Sequence, residues 1–121
     1  MTMKNSVTHT KSKAFAVRII RFYKYLTEEK KEYVLAKQIL RSGTSIGANV
    51  RESYSAQSTA DFINKLQIAL KEADETAYWL EILTESEIIT QDIFDSLSED
   101  LKEISSLLAS SIKTLKQKNQ K

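Results

Sequence analysis

The chain has 121 residues, enough for one domain with a proper core, and 28% of them are charged. It has no proline, two glycines and no cysteine, a composition that disfavours β-rich folds with many tight turns and excludes disulfides and thiolate chemistry. No apolar run approaches the ~20 residues of a membrane span, and the amino terminus is polar rather than a secretory signal, so we expect a soluble cytoplasmic protein with no membrane partner.

The net charge is only +2, but its distribution along the chain is uneven. Residues 1–51 hold eleven Lys or Arg against three Glu, a net charge of +8, whereas residues 52–112 have a net charge of −10 and residues 113–121 of +4. Such asymmetry indicates either a basic face for a polyanion or faces of opposite charge that pair between subunits.

The first predicted helix follows a polar amino-terminal stretch. Residues 1–11 are expected to form a disordered basic tail, and the helix to run from Ser12, its N-cap, to Glu29. Its apolar residues fall on one face, which predicts a core stripe of Phe15, Ile19, Phe22 and Leu26. The basic residues on the opposite side and the flank are Arg18, Arg21 and Lys24.

The second predicted helix, Val34–Ser53, holds both glycines of the chain, Gly43 and Gly47. A glycine inside a helix costs ~1 kcal/mol relative to alanine, and residues 42–45 resemble a turn, so a loop is the alternative. The apolar period continues through both glycines without a phase break, which favours a helix that another backbone can approach closely. The outer face of this helix carries Lys37, Arg41 and Arg51.

Polar side chains lie beside the apolar stripe of the second helix. Asn49 could satisfy polar groups at a helix crossing, and Ser42 and Ser45 could do the same or bond to the carbonyl four residues earlier. We interpret these residues and Glu52 as structural rather than ligand-binding.

The third predicted helix, Thr59–Glu85, begins after Ser58, which stands three residues before Asp61 as in a capping box. Its inner stripe is Phe62, Leu66, Ala69, Ala73, Ala77 and Leu80. A second apolar set lies on nearly the opposite side: Ile68, Trp79 and Ile82. Scattered surface apolar residues are normal, but the only tryptophan beside two isoleucines favours an oligomer interface.

The fourth predicted helix is capped by Thr90 and ends near Lys116, before a basic tail over residues 117–121. Its continuous apolar stripe is Ile93, Leu97, Leu101, Ile104, Leu108, Ile112 and Leu115. Four amphipathic helices with short connections predict an all-α fold, an antiparallel up-down four-helix bundle over residues 12–116.

Few side chains suit catalysis or metal binding. His9 is the only histidine and lies in the predicted tail, and neither Glu-x-x-His pairs nor cysteine ligands occur. Nucleophile–base pairs and a phosphate-binding loop are also missing. Acids such as Glu72 and Glu75 are interpreted as a solvated face. We therefore expect no enzymatic activity, no metal site and no cofactor.

The second helix resembles the signature of a known family. Residues 41–53, RSGTSIGANVRES, are similar to the pattern R-S-x-x-S-I-x-x-N-I-x-E-G of bacterial four-helix-bundle proteins encoded by intervening sequences of large-subunit ribosomal RNA genes. Ser53 stands where that family usually has glycine. Residues 62–69, FINKLQIA, resemble the family's next motif, F-x-x-x-L-x-I-A, and Glu75 and Leu80 fit its continuation. The similarity extends from about Phe15 to Leu115.

This resemblance implies a ring-like homopentamer of four-helix bundles. The accessory protein of diversity-generating retroelements is a similar bundle, which forms a barrel-shaped pentamer, binds nucleic acid through basic surfaces and works with a reverse transcriptase. The resemblance therefore suggests RNA or DNA, and a reverse transcriptase or another protein, as partners.

Two functional hypotheses follow. The first is a non-enzymatic homo-oligomeric scaffold that binds nucleic acid, as structured RNA or an RNA–protein complex, through basic outer faces of helices one and two. The residues assigned to this binding are Arg18, Arg21, Lys24, Lys37, Arg41 and Arg51. The second hypothesis is a structural oligomer that binds a protein partner and has no nucleic-acid role.

Overall fold

The computed structural model describes residues 6–119, which form four α-helices. These are α1 (Val7–Glu28), α2 (Val34–Ser53), α3 (Thr59–Glu85) and α4 (Gln91–Asn119). Each helix packs against the next one in the chain, and α4 closes the bundle against α1. The predicted all-α antiparallel four-helix bundle is therefore confirmed, with the second and third helices ending where the sequence predicts.

The first helix begins five residues earlier than predicted, at Val7. Ser6 is its N-cap, because the Ser6 side chain accepts a 3.1 Å hydrogen bond from the backbone N–H of His9. The prediction of Ser12 as the cap is wrong: Ser12 is buried inside the helix and donates to the His9 carbonyl. Residues 7–11 of the predicted tail are thus helical, and residues 1–5 lie outside the described residues.

At the other end of the chain, α4 continues to Asn119, three residues past the predicted end. Residues 117–119 of the predicted basic tail are therefore helical, while residues 120–121 lie outside the part of the chain that the structure describes. Thr90 has the expected position at the start of α4, where its side chain accepts from the backbone N–H of Ile93 at 3.4 Å.

The core of the bundle lies where the four helical stripes meet. The predicted stripe of α1 is fully buried, as is the central part of the α4 stripe from Leu97 to Ile112. On α3 the stripe is rotated slightly from the prediction, because Phe62 and Ala77 are half-buried while Ile63, Thr76 and Leu83 are buried. Each fully buried Leu, Ile or Phe contributes roughly 1.5–3 kcal/mol to folding relative to an exposed position.

The two glycines lie inside regular α-helix, where α2 crosses α1. A Cβ atom built on Gly43 would come within 2.8 Å of Ile19 Cγ1, and one on Gly47 within 3.2 Å of the Ser12 carbonyl oxygen. Neither glycine has a positive φ, so their role is close approach rather than a turn. The continuous α-helix over Val34–Ser53 confirms the predicted helix and excludes the loop alternative.

The seam between α1 and α4 is the most loosely packed of the four seams around the bundle. Polar side chains bridge it: Lys11 Nζ lies 3.2 Å from Glu103 Oε1, and Arg18 Nη1 lies 2.7 Å from Asp100 Oδ2. Exposed ion pairs of this kind contribute only ~0–1 kcal/mol each, so this side of the bundle is held less firmly than the others.

Candidate nucleic-acid interface

Four of the six basic residues assigned to nucleic-acid binding are exposed on the outer faces of α1 and α2 and lack an ion-pair partner among the described residues. These are Arg21 and Lys24 on α1, and Lys37 and Arg51 on α2. None of the four forms an ion pair with another residue in the range 6–119. Their positive charges are therefore available to a polyanion outside the subunit.

The antiparallel crossing of α1 and α2 brings Lys24 and Lys37 to the same height in the bundle. Gly43 packs on Ile19 and Gly47 on Ser12, so residue numbers increase along α1 in the direction in which they decrease along α2. Lys24 follows Ile19 by five residues and Lys37 precedes Gly43 by six, which places them opposite each other on neighbouring helices. Arg51 lies near the opposite end of α2, so the basic surface extends along the bundle.

The other two predicted cations, Arg18 and Arg41, are already neutralised within the subunit. The Arg18 guanidinium donates to the Ser96 carbonyl at 3.0 Å and to the Asp100 carboxylate at 2.7 Å. It also contacts the Ser96 hydroxyl. Arg18 therefore connects α1 to α4, and a ligand phosphate would have to displace these partners to bind it.

Arg41 makes the corresponding connection between α2 and α3. Its Nη2 atom lies 3.2 Å from Glu72 Oε1, and the same guanidinium pairs with Glu75. The hydrogen bond to Glu72 raises the pKa of Arg41 above its usual value, and the negative charges of Glu72 and Glu75 act in the same direction. Desolvation by burial opposes this rise only in part. The two acids that the sequence analysis interpreted as a solvated face thus form an ion-pair cluster with a predicted binding residue.

The acidic half of the sequence forms the opposite side of the bundle. Exposed acids of α3 and α4 are Asp74, Glu81, Glu85, Asp92, Asp95, Glu99 and Glu103. The ion pairs among the described residues all join a helix of the basic pair, α1 and α2, to a helix of the acidic pair, α3 and α4. Part of the charge asymmetry therefore serves contacts inside one subunit.

The polar residues predicted as structural lie along α2, toward α3. Ser42 is fully buried, and its Oγ is 2.9 Å from Thr76 Oγ1 across the α2–α3 seam. Ser45 donates to the Arg41 carbonyl, and Asn49 Nδ2 donates to the Ser45 carbonyl at 2.9 Å. Ser42 thus satisfies a polar group at a helix crossing, whereas Ser45 and Asn49 bond to their own helix.

Glu52, the last of these structural residues, lies near the end of α2 and pairs with α3. Its Oε1 atom is 3.4 Å from Lys65 Nζ. With the Ser42–Thr76 bond and the Arg41 cluster, this pair forms a line of polar contacts along the α2–α3 seam.

Residues 4–110 match the family model described as 23S rRNA-intervening sequence protein. The chain belongs to this family. The resemblance identified from the motif of α2 is therefore confirmed, and the motif residues Arg41, Ser42 and Glu52 of this family member contact α3.

A solved structure supports the same family assignment. It is the crystal structure of a protein with unknown function from the S23 ribosomal protein family of Bacteroides thetaiotaomicron VPI-5482. The two chains are 61% identical and superimpose with a TM-score of 0.87, covering 88% of this chain and 99% of that chain. No curated protein matches the chain.

The predicted oligomer interface of this family member is half-buried within the subunit. Ile68, Trp79 and Ile82 are each partly exposed, and Trp79 packs against the core with its indole edge-to-face on Tyr78 at 5.1 Å between ring centroids. The Trp79 Nε1 atom is buried and has no hydrogen-bond partner among the described residues. Trp79 therefore contributes to the fold of the subunit, and the role of the three residues in assembly stays a prediction.

Two features of this family member were not predicted from its sequence. Thr76, the buried partner of Ser42, follows Ala69 by seven residues and precedes Leu80 by four, so the helical period already indicates an inward position. The most exposed large apolar side chains of α2 and α3 are Val34 and Tyr78, at 71% and 53% exposure. Neither belongs to a periodic apolar stripe, so the sequence pattern does not single out either residue.

Over residues 6–119, no group of three or more His, Cys, Asp and Glu side chains is arranged to hold a metal ion. None of the described helices combines the length and the apolar character needed to cross a membrane.

Proposed function

We propose that this protein is a non-enzymatic homo-oligomeric scaffold that binds nucleic acid, as structured RNA or an RNA–protein complex, through the outer faces of α1 and α2. The observation that carries the proposal is the set of four exposed cations without intrachain partners: Arg21, Lys24, Lys37 and Arg51. Residues 7–27 and residues 34–51 contain no Asp or Glu, so no carboxylate on these faces repels a phosphate.

The paired cations have a different role in this proposal. Arg18 and Arg41 stabilise the subunit, because each connects a basic helix to an acidic one. Binding through the four remaining cations neutralises phosphates and releases counterions, with roughly 0.7 to 0.9 ions released per contact. We therefore expect a slope of about −3 to −4 in a plot of log K against log salt for one subunit.

Assembly would strengthen such binding without any new contact to the ligand. Each subunit offers one modest basic surface, and a ring presents several copies to one polynucleotide, which raises the effective concentration of the second and later contacts. The homopentamer implied by the family resemblance supports this arrangement.

The proposal is tested by charge reversal at Lys24 and Lys37, which lie at the same height on neighbouring helices. The double variant Lys24→Glu/Lys37→Glu should lose the gel shift of a labelled RNA hairpin at physiological salt, because two of the four unpaired cations become anions. Arg41 is unsuitable for this test, since its reversal would place an anion beside Glu72 and Glu75 and destabilise the fold.

The matched control is Lys71→Glu/Lys102→Glu, which makes the same charge change at exposed lysines of α3 and α4. This variant should bind the hairpin nearly as well as the wild type, and both variants should unfold at temperatures close to that of the wild type. Equal binding by wild type and Lys24→Glu/Lys37→Glu would overturn the proposal. A stable ring with no RNA affinity in the wild type would instead favour the structural oligomer that binds a protein.

A further inference from the structure

The loose seam between α1 and α4 opens into two grooves, which Arg18 separates by reaching across to Ser96 and Asp100. The groove on the side of the α1–α2 connection has a volume of about 500 Å³. This volume lies within the range of about 300–1,000 Å³ that is typical of small-ligand sites. We call it the seam groove.

The floor of the seam groove is apolar and partly aromatic. Phe22 and Tyr25 contribute from α1, and Ile93 and Leu97 from α4. The two aromatic rings are nearly parallel, at 18°, with their centroids 6.3 Å apart. Tyr25 is half-buried, so part of its ring lines the open groove. Such a floor suits a flat ring that stacks on it.

The rim of the seam groove carries one cation and one anion that are not paired with each other. Arg21 on α1 and Asp92 on α4 are both exposed, and neither forms an ion pair within residues 6–119. A guanidinium is a strong donor to phosphate, and a carboxylate accepts only from N–H or O–H groups. The rim therefore fits a ligand that has both a phosphate and an N–H donor edge.

We propose that the seam groove accepts one unpaired nucleobase of a bound RNA, a site that rests on the nucleic-acid binding proposed above. The base stacks on the aromatic floor at Tyr25, Arg21 contacts its phosphate, and Asp92 accepts a hydrogen bond from its Watson–Crick edge. Arg21 and Lys24 lie one helical turn apart on α1, so a strand that follows the basic surface passes the mouth of the groove.

The dimensions of the groove favour a nucleobase over a helix of another protein. Its lining spans only residues 18–25 and 92–97, about two turns of each helix. A stable protein interface buries about 800 Å² on each partner and has an extended apolar centre. A short groove with unpaired charges of both signs on its rim matches a nucleotide instead.

The test uses two labelled RNA hairpins that differ at a single bulged position. One carries 2-aminopurine there, and the other carries an abasic ribose with the same backbone. The wild-type protein should bind the first at least about fivefold more tightly than the second, because stacking on an aromatic side chain contributes that much or more per base. The fluorescence of 2-aminopurine should also fall on binding.

The decisive variant is Tyr25→Leu, which keeps apolar contact with the floor but removes the ring. It should bind both hairpins equally and should no longer change the 2-aminopurine fluorescence, while its affinity for the abasic hairpin stays that of the wild type. Tyr33→Leu is the matched control, since Tyr33 is 54% exposed and does not line the groove, and it should keep the fivefold preference. Ile93→Phe, which fills the groove from α4, serves as a second variant and should also abolish the preference.

Two results distinguish the failure of this proposal from that of the function on which it rests. Equal affinity of the wild-type protein for both hairpins, or a folded Tyr25→Leu protein that keeps the preference, overturns the seam groove as a base site and leaves the basic surface intact. A wild-type protein that binds neither hairpin overturns both proposals.

Discussion

Gly43 and Gly47 decide how closely α1 and α2 approach, and through that distance they set the geometry of the basic surface. The nearest neighbour of Gly43 is the Ile19 side chain, which is fully buried and β-branched, so it cannot move aside without displacing the core. The nearest neighbour of Gly47 is the backbone of α1 at Ser12. At both positions hydrogen is the only side chain that leaves the crossing unchanged.

We expect Gly43→Ala to destabilise the protein although alanine is the better helix former. The substitution gains ~1 kcal/mol of helix propensity, but it forces a methyl group into a space where overpacking costs about 1–3 kcal/mol or more. The net loss, up to roughly 2 kcal/mol, is measured by urea unfolding of the variant and the wild type.

A double-mutant cycle attributes this loss to Ile19. In an Ile19→Ala background the same Gly43→Ala change should cost less or become stabilising, because the two Cγ atoms that it would contact are gone. Ala48→Gly, at an exposed position of the same helix, provides the reference for propensity alone. If Gly43→Ala raised the stability of the otherwise wild-type protein, the crossing would not be as tight as the structure shows.

Among the helices, α2 and α3 form the most closely packed pair of the bundle. α2 packs closely against both α1 and α3, and α3 against both α2 and α4, whereas α1 and α4 meet loosely at the seam that carries the grooves. The connections use Lys31 and Glu87 in the left-handed region, with φ of 54° and 65°. Non-glycine residues seldom adopt that region, so no turn signal in the sequence marks these two positions.

We expect native-state hydrogen exchange to rank the helices in this order. Amides in the middle of α2 and α3 should exchange most slowly, and those of α1 and α4 faster, because the latter helices each have only one tightly packed neighbour. Amide exchange followed by mass spectrometry measures this difference. Slower exchange in α1 and α4 than in α2 and α3 would contradict the packing described here.

At the scale of the whole molecule, the bundle has a basic side and an acidic side that are linked by ion pairs at both seams between them. On the basic side, the unpaired cations Arg21, Lys24, Lys37 and Arg51 favour a polyanion over a neutral partner. Exposed apolar side chains remain on the surface of the subunit, among them Val34, Tyr78, Val17 and Ile20. Such residues are candidates for contacts between subunits in the proposed oligomer.

Trp79→Ala should lower the native mass measured by light scattering, if the stripe of Ile68, Trp79 and Ile82 contributes to assembly. Trp79 also packs against the core, so the variant should lose subunit stability too, and its helicity must be verified at the temperature of the measurement. Measuring the mass at several protein concentrations separates weakened assembly from unfolding. A folded Trp79→Ala protein with the mass of the wild type would exclude this placement of the interface.

The order, type and approximate length of the four helices follow from the sequence alone, because an apolar period of three or four residues reports which face is buried wherever the helix lies. The bounds of α2 and α3 were predicted correctly, and the motif of α2 was sufficient to identify the family. The start of α1 was not predicted correctly. Ser6 and Ser12 are both residues that can cap a helix, and only the formed helix distinguishes them.

The identity of the free cations was decided by the tertiary structure. A helical period places Arg18, Arg21, Lys37 and Arg41 on outer or flanking faces alike, but it carries no information about which acids of α3 and α4 come near them. Packing brings Asp100 to Arg18 and Glu72 to Arg41, and leaves the others unpaired. Periodicity is a property of one helix, whereas ion pairing and the seam groove depend on two helices that are far apart in sequence.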